Sequence, residues 1–247
     1  GWREPLLRIG RREPPKYTET SYFLKYLNQN AMTDNKIYIN NISRVLNDLG
    51  ININTVPVLD VSRDKTSKVI KDRTFSNRVK IVSTLGDYCI KCYSKNKIGT
   101  VIKHMPGHGL SKSDSHYETP VINANKRELI KKDFKPFKNN KSFFAMTAHV
   151  IYSTYDPINT ATHSRIIIKE VIRKNIKFKG ILISDDISMK ALKYNLEENA
   201  IKALYSGCNL VLHCNGNIRE MYRLSKVIPK IDKFTQKKTS QFYKFLG

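Results

Sequence analysis

Short apolar runs rich in Val, Ile and Thr recur along the chain at INTVPVLDV (53–61), GTVIKHM (99–105), FFAMTAHV (143–150), GILISDD (180–186) and CNLVLHC (208–214). Each has the length and continuity of a strand buried on both faces. Between them, patterns with helical period predict helices over about 76–97, 125–138, 164–177 and 188–206, with Ser, Thr or Asp near several starts and Gly99, Gly180 and Gly207 near the ends. Strand and helix alternate five times, which predicts a parallel sheet with helices outside it. Polar residues sit at or near the C-terminal ends of the strands: Asp60, Lys103 with His104, His149, Asp185 and His213. That placement suits a TIM-type (β/α)8 barrel, whose chemistry collects at this end.

Residues 1–50 do not continue the pattern. They offer helix-like text, SYFLKYLNQN and INNISRVLNDLG, behind a charged, Pro-containing segment with no strand in it. The expectation is therefore one α/β domain over residues 1–247, an incomplete barrel with about five recognisable βα units, its first strands missing or unrecognisable. A start at Gly1 suits a fragment or a reading frame damaged near its beginning.

The chain has 247 residues, 40% hydrophobic and 10% aromatic, enough for one sizeable core. A net charge of +23 raises nucleic acid as a partner. The lysines are nonetheless scattered through helical stretches such as KRELIKKDFKPFKNNK and KVIPKIDKFTQKK, as on a solvated surface, and no nucleic-acid partner is expected. No run approaches the ~18 apolar residues of a membrane span, and GWREPLLRIGRREPP lacks a signal-peptide core, so no membrane partner is expected and a soluble, cytoplasmic monomer is. The four cysteines make no disulfide framework. Cys89 and Cys92 form a lone C-x-x-C in an amphipathic stretch, and Cys208 and Cys214 flank an apolar strand as core residues would.

Two segments carry the chemistry. KHMPGHGLSKSDSH (103–116) packs a lysine, three histidines and an aspartate into a loop broken by Gly and Pro, where side chains converge on a ligand. ILISDDISM (181–189) ends a buried strand on two carboxylates, a rigid place for a nucleophile at Asp185. Asp186 reads as the N-cap of a helix beginning at ISMKAL. A metal-dependent hydrolase using His104, His108, Asp114 and His116 is the rival chemistry. Pro106 and Gly107 break the helical spacing such sites use, and no glutamate is placed as in H-E-x-x-H.

KHMPGHG followed by DSH, then AMTAHV and ILISDDISMKAL, resembles glycoside hydrolase family 3, in particular its bacterial β-N-acetylglucosaminidases of peptidoglycan recycling. VPVLDV followed by DRTFS resembles them too, and the likeness covers about residues 20–225. The resemblance implies a retaining glycosidase that removes terminal β-linked N-acetylglucosamine from muropeptides, a small-molecule carbohydrate substrate, without metal or cofactor. It implies Asp185 as nucleophile, His116 as acid/base with Asp114 as its partner, and Arg73, Lys103 and His104 as sugar-binding residues. His108 is expected to shape the loop. The family's acidic DQEGG-type motif has no counterpart in GWREPLLRIGRREPPKY, which leaves an inactive remnant or binding module of the same fold as the alternative.

Overall fold

The computed structural model describes residues 31–113, 115 and 117–247, with backbone alone at 31–35. SYFLKYLNQN, Asp114 and His116 lie outside the described residues. All five expected strands form one parallel sheet. In chain order they are β1 (Ile53–Asn54), β2 (Gly99–Met105), β4 (Phe144–Thr147), β6 (Ile181–Asp186) and β7 (Leu210–Leu212), and that is also their order across the sheet. Two short segments, β3 (Val121–Ile122) and β5 (Ile151–Tyr152), make a second parallel pair beyond the strand ends. The described helices are α1 (Ala31–Asp48), α2 (Lys68–Lys71), α3 (Val79–Lys95), α4 (Lys126–Lys131), a π-type helix (Ile167–Asn175), α5 (Leu196–Ser206), α6 (Ile218–Val227) and α7 (Lys233–Leu246).

The alternation of side chains along the strands separates two apolar layers. Ile102, Ala145 and Leu182 face the helices and share the main core with Ile39 and Leu46 of α1, Val82 and Cys89 of α3, and Ile168 and Val171 of the π-type helix. Val101, Phe144, Met146, Ile181 and Ile183 line the other face, and Phe242 of α7 closes it at the strand starts. A methyl group built on Gly99 would lie 2.5 Å from the Phe242 ring, so glycine is what lets α7 seat against β2. The same alternation carries Lys103 and Asp185 on this second face, at the far end of the strands. That face is the interior of a barrel, with an aromatic floor beneath and charged groups at its mouth.

Four boundaries differ from expectation, the first being the helix expected over 125–138, which stops at Lys131 and is followed by a separate single turn at Lys135–Phe137 that holds Pro136. The first strand is interrupted by Pro57, which has no N–H for the ladder, and resumes as an isolated bridge between Val58 and Lys103. The helix expected over 188–206 begins at Leu196, where Asn195 caps it by accepting from the Glu198 amide at 2.9 Å. KVIPKIDKFTQKK is two helices rather than one: Pro229 follows the end of α6, and Asp232 starts α7 by accepting from the Thr235 amide at 2.6 Å. Among the described residues no helix is long and apolar enough to cross a membrane.

Candidate active site

The site is assembled around a carboxylate buried at the end of the first apolar run. Asp60 is fully buried and accepts three donors from the KHMPGHG segment: the His104 amide at 3.3 Å, the His104 ring at 2.7 Å and the His108 amide at 2.6 Å. Burial alone would push the Asp60 carboxyl up, but the charge and hydrogen bonds of His104, with those of His108, outweigh it and hold the group below its ordinary value. An ionised carboxylate only accepts, so His104 Nδ1 carries the proton of this bond and Nε2 is left for another partner.

The loop that carries these donors is shaped by its glycines. Gly107 has φ +141°, and a methyl group there would meet the Asp133 carbonyl at 2.7 Å. A methyl on Gly109 would stand 1.9 Å from the Val61 carbonyl. The Tyr152 hydroxyl donates to the Gly107 carbonyl and that of Thr66 to the Gly109 carbonyl, so both glycines are tied down from outside the loop. Beneath them Arg63 pairs with buried Asp133 at 2.9 Å, and burial pushes the Asp133 carboxyl up to about 7 against the pull of Arg63. His108 is 2% exposed, its ring edge-on to His104 with centroids 5.6 Å apart, and burial lowers its pKa to about 4, so the ring is neutral. Arg73 lies close enough for its charge to add to that lowering, and its Nε donates to the Val69 carbonyl at 2.8 Å.

Asp185 stands at the end of β6, partly exposed, with its Oδ1 accepting from the Asp186 amide at 2.8 Å. Burial raises its carboxyl, yet His149, His104, the Asp186 amide and Lys103 together hold it below the ordinary value. Asp186 takes the turn instead: its Oδ1 accepts from the Ser188 amide at 3.0 Å and the Ser188 hydroxyl at 2.8 Å. Of the residues singled out in the sequence, Lys103 and His104 act electrostatically on Asp185, and the charge of Arg73 reaches His108. The predicted pair Asp114 and His116 falls outside the described residues.

Two residues noted only as strand ends prove central to this geometry. Asp60 supports the Lys103–His104 corner, and His149, 1% exposed, bonds the Asp186 carbonyl at 2.9 Å. Their signal was present as a polar residue closing an apolar run. Cys214 was expected in the core; it is half-buried, and burial, with Asp186 and Asp185 nearby, pushes its thiol up to about 12. His213 Nε2 pairs with Glu220 at 2.8 Å. Cys89 and Cys92 are buried on α3, within the main core.

A parallel five-stranded sheet backed by helices, with an ionised carboxylate and cationic side chains gathered at the C-terminal strand ends, defines an incomplete barrel of the (β/α) type. The chain belongs to glycosyl hydrolase family 3: residues 30–241 match the family's N-terminal domain. It is 38% identical over 173 residues to a β-hexosaminidase of Haemophilus influenzae, covering 68% of this chain and 48% of that one. A β-hexosaminidase of Photobacterium profundum is 34% identical over 209 residues, covering 80% of this chain and 61% of that one. The chain thus spans about half of the curated relatives it matches. NagZ from Neisseria gonorrhoeae, solved in complex with N-trifluoroacetyl-D-glucosamine, superposes with a TM-score of 0.76 at 25% identity, over 92% of this chain and 66% of that one.

Proposed function

We propose that this protein is a retaining β-N-acetylhexosaminidase that removes terminal, non-reducing β-linked N-acetylglucosamine from peptidoglycan-derived muropeptides in the cytoplasm. The observation that carries the reading is Asp185: a carboxylate held ionised at the end of β6 beside Lys103 and His104. Relatives named β-hexosaminidase, and a solved relative holding an N-acylated glucosamine, support the sugar.

The reaction proceeds by two displacements. A carboxylate oxygen of Asp185 attacks the anomeric carbon, the bond to the leaving oxygen breaks, and His116 gives that oxygen its proton. His116 then takes a proton from water, whose oxygen attacks the same carbon and releases Asp185. Asp114 fixes the His116 tautomer and raises its basicity. Arg73 and Lys103 donate to the sugar hydroxyls and His104 Nε2 accepts from one, so that together they hold a rigid pattern of oxygens. No metal or cofactor takes part.

The test is trapping with a 2-fluoro or 5-fluoro glycosyl donor, followed by peptide mass spectrometry, alongside hydrolysis of a chromogenic N-acetylglucosaminide. An adduct on Asp185, with turnover abolished in Asp185→Asn, is expected. Sugar binding without turnover or adduct would mark the protein as a binding module, and an adduct on Asp186 would overturn the assignment.

A further inference from the structure

Asp186 is gripped from both sides of its own backbone. Its amide donates to Asp185 Oδ1 at 2.8 Å, and its carbonyl accepts from His149 Nε2 at 2.9 Å. A carbonyl only accepts, so Nε2 of His149 carries the proton. Nδ1 lies 2.7 Å from the Thr162 hydroxyl, and Thr162 lies 2.8 Å from the Thr147 hydroxyl. His149 Nδ1 shares one hydrogen bond with the Thr162 hydroxyl, and Thr162 shares the next with Thr147. The chain of bonds runs without a gap from β4 through His149 to the last residue of β6. Each member is buried, so each bond is made where water does not compete for it.

The consequence falls on Asp185. Its Oδ1 accepts from the Asp186 amide, whose peptide unit adjoins, across the Asp186 α-carbon, the one that His149 holds. The bond to Oδ1 restricts rotation of the carboxylate about its Cβ–Cγ bond. We propose that His149 is a positioning residue for the nucleophile: by holding the Asp186 carbonyl it fixes the backbone turn after Asp185, from which the Asp186 amide grips Oδ1 and orients the attacking carboxylate. The inference rests on the reading of Asp185 as nucleophile.

The experiment compares His149→Ala, His149→Gln, Thr162→Val and Asp185→Asn in the purified protein. For each it measures kcat and KM on a chromogenic N-acetylglucosaminide, the rate of trapping by the fluoro-sugar, and thermal melting. Gln places an amide N–H where Nε2–H was, whereas Thr162→Val removes one hydroxyl and keeps the packing. His149→Ala and Thr162→Val are expected to lower kcat and the trapping rate by about 10–100-fold, the usual effect of losing a support behind a reacting group. KM should stay within about twofold, since the sugar's other contacts are untouched. His149→Gln should recover most of the loss.

Unchanged kcat in both His149→Ala and Thr162→Val, with Asp185→Asn inactive, would overturn the positioning role and leave the nucleophile standing. So would a fall in kcat that tracks a lowered melting point and is not rescued by Gln. An active Asp185→Asn would remove the nucleophile reading itself and the inference with it.

Discussion

Removing the Asp60 carboxylate should cost the protein both stability and sugar binding, by amounts that the geometry bounds. Three donors lose their acceptor: the His104 and His108 amides and the His104 ring, at 3.3, 2.6 and 2.7 Å. A stranded buried donor costs about 1–3 kcal/mol, more where the lost acceptor was charged, so three of them set a floor of about 3 kcal/mol. Asp60→Ala should therefore lose about 3–5 kcal/mol, a large part of a domain's usual margin of about 5–15 kcal/mol. In urea that is a midpoint lower by about 1–2 M at unchanged slope. Asp60→Asn keeps an oxygen for the His108 amide but turns an NH2 toward His104 Nδ1. That forces the other tautomer, so binding should weaken with a smaller loss of stability, about 1–3 kcal/mol.

The pH dependence is the sharper check. The Asp60 carboxyl is held below its ordinary value of 3.8 in the fold, so its stabilisation is complete above that value and is lost as pH falls through the lower, folded one. The stability gap between the unmodified protein and Asp60→Asn should thus be constant near neutrality and close in the acid range below 3.8. Urea titrations at stepped pH measure it. An Asp60→Ala protein within about 1 kcal/mol of its parent, the scale of an ordinary substitution, or a gap that widens in acid, would refute the reasoning.

Other expectations follow from particular contacts. Gly109→Ala drives a methyl to 1.9 Å from the Val61 carbonyl, backbone against backbone, so it should destabilise by at least the ~1–3 kcal/mol of ordinary overpacking and lower kcat/KM, read by melting and initial rates. Phe242→Ala empties the floor beneath Phe143, Phe144 and Gly99 and should cost about 3–5 kcal/mol in urea while leaving KM unchanged, since it lies at the opposite end from the site. His116→Ala should slow substrates with poor leaving groups far more than aryl glycosides, which need little protonation; equal losses on both would contradict an acid/base role.

The strand cores were legible because burial on both faces leaves a continuous apolar run, and β2 runs over the same residues, 99–105, as its sequence pattern. The π-type helix also falls inside its predicted range, since its apolar positions still recur about once per turn. What failed to show was local and short. β3 and β5 are two residues each, below any periodicity, and exist because the segments after β2 and β4 run alongside one another. Residues 188–195 looked helical because Ile187, Ala191 and Leu192 are spaced as on a helix face; they are buried in irregular backbone, and the regular helix waits for the Asn195 cap. The site was half legible. Charged residues at strand ends pointed to Lys103, His104 and Asp185, but the supporting roles of Asp60 and His149 needed coordinates. A residue that acts by holding another's ring or carbonyl looks, in a sequence, like any polar residue closing an apolar run.

One feature of the sheet explains how neighbours in sequence act on one point. In a regular strand, adjacent side chains leave on opposite faces, so Lys103 and His104 could not both approach Asp185. Both do act on it. The register of β2 against β4 shifts between Ile102 and Met105, and that of β6 against β7 shifts between Ile183 and Asp186. Each break lies at the C-terminal end of its strand, where the alternating pattern would otherwise send one of two adjacent polar residues into the helix-facing core. Such irregularities re-aim side chains at the cost of ladder bonds, a cost borne here where pairing is ending anyway. The apolar halves of β2 and β6 keep strict register with β4 and seal the interior, and the irregular halves concentrate cation and carboxylate over it. Within one strand, then, the first few residues stabilise the fold and the last few are released from the sheet's geometry to build the site.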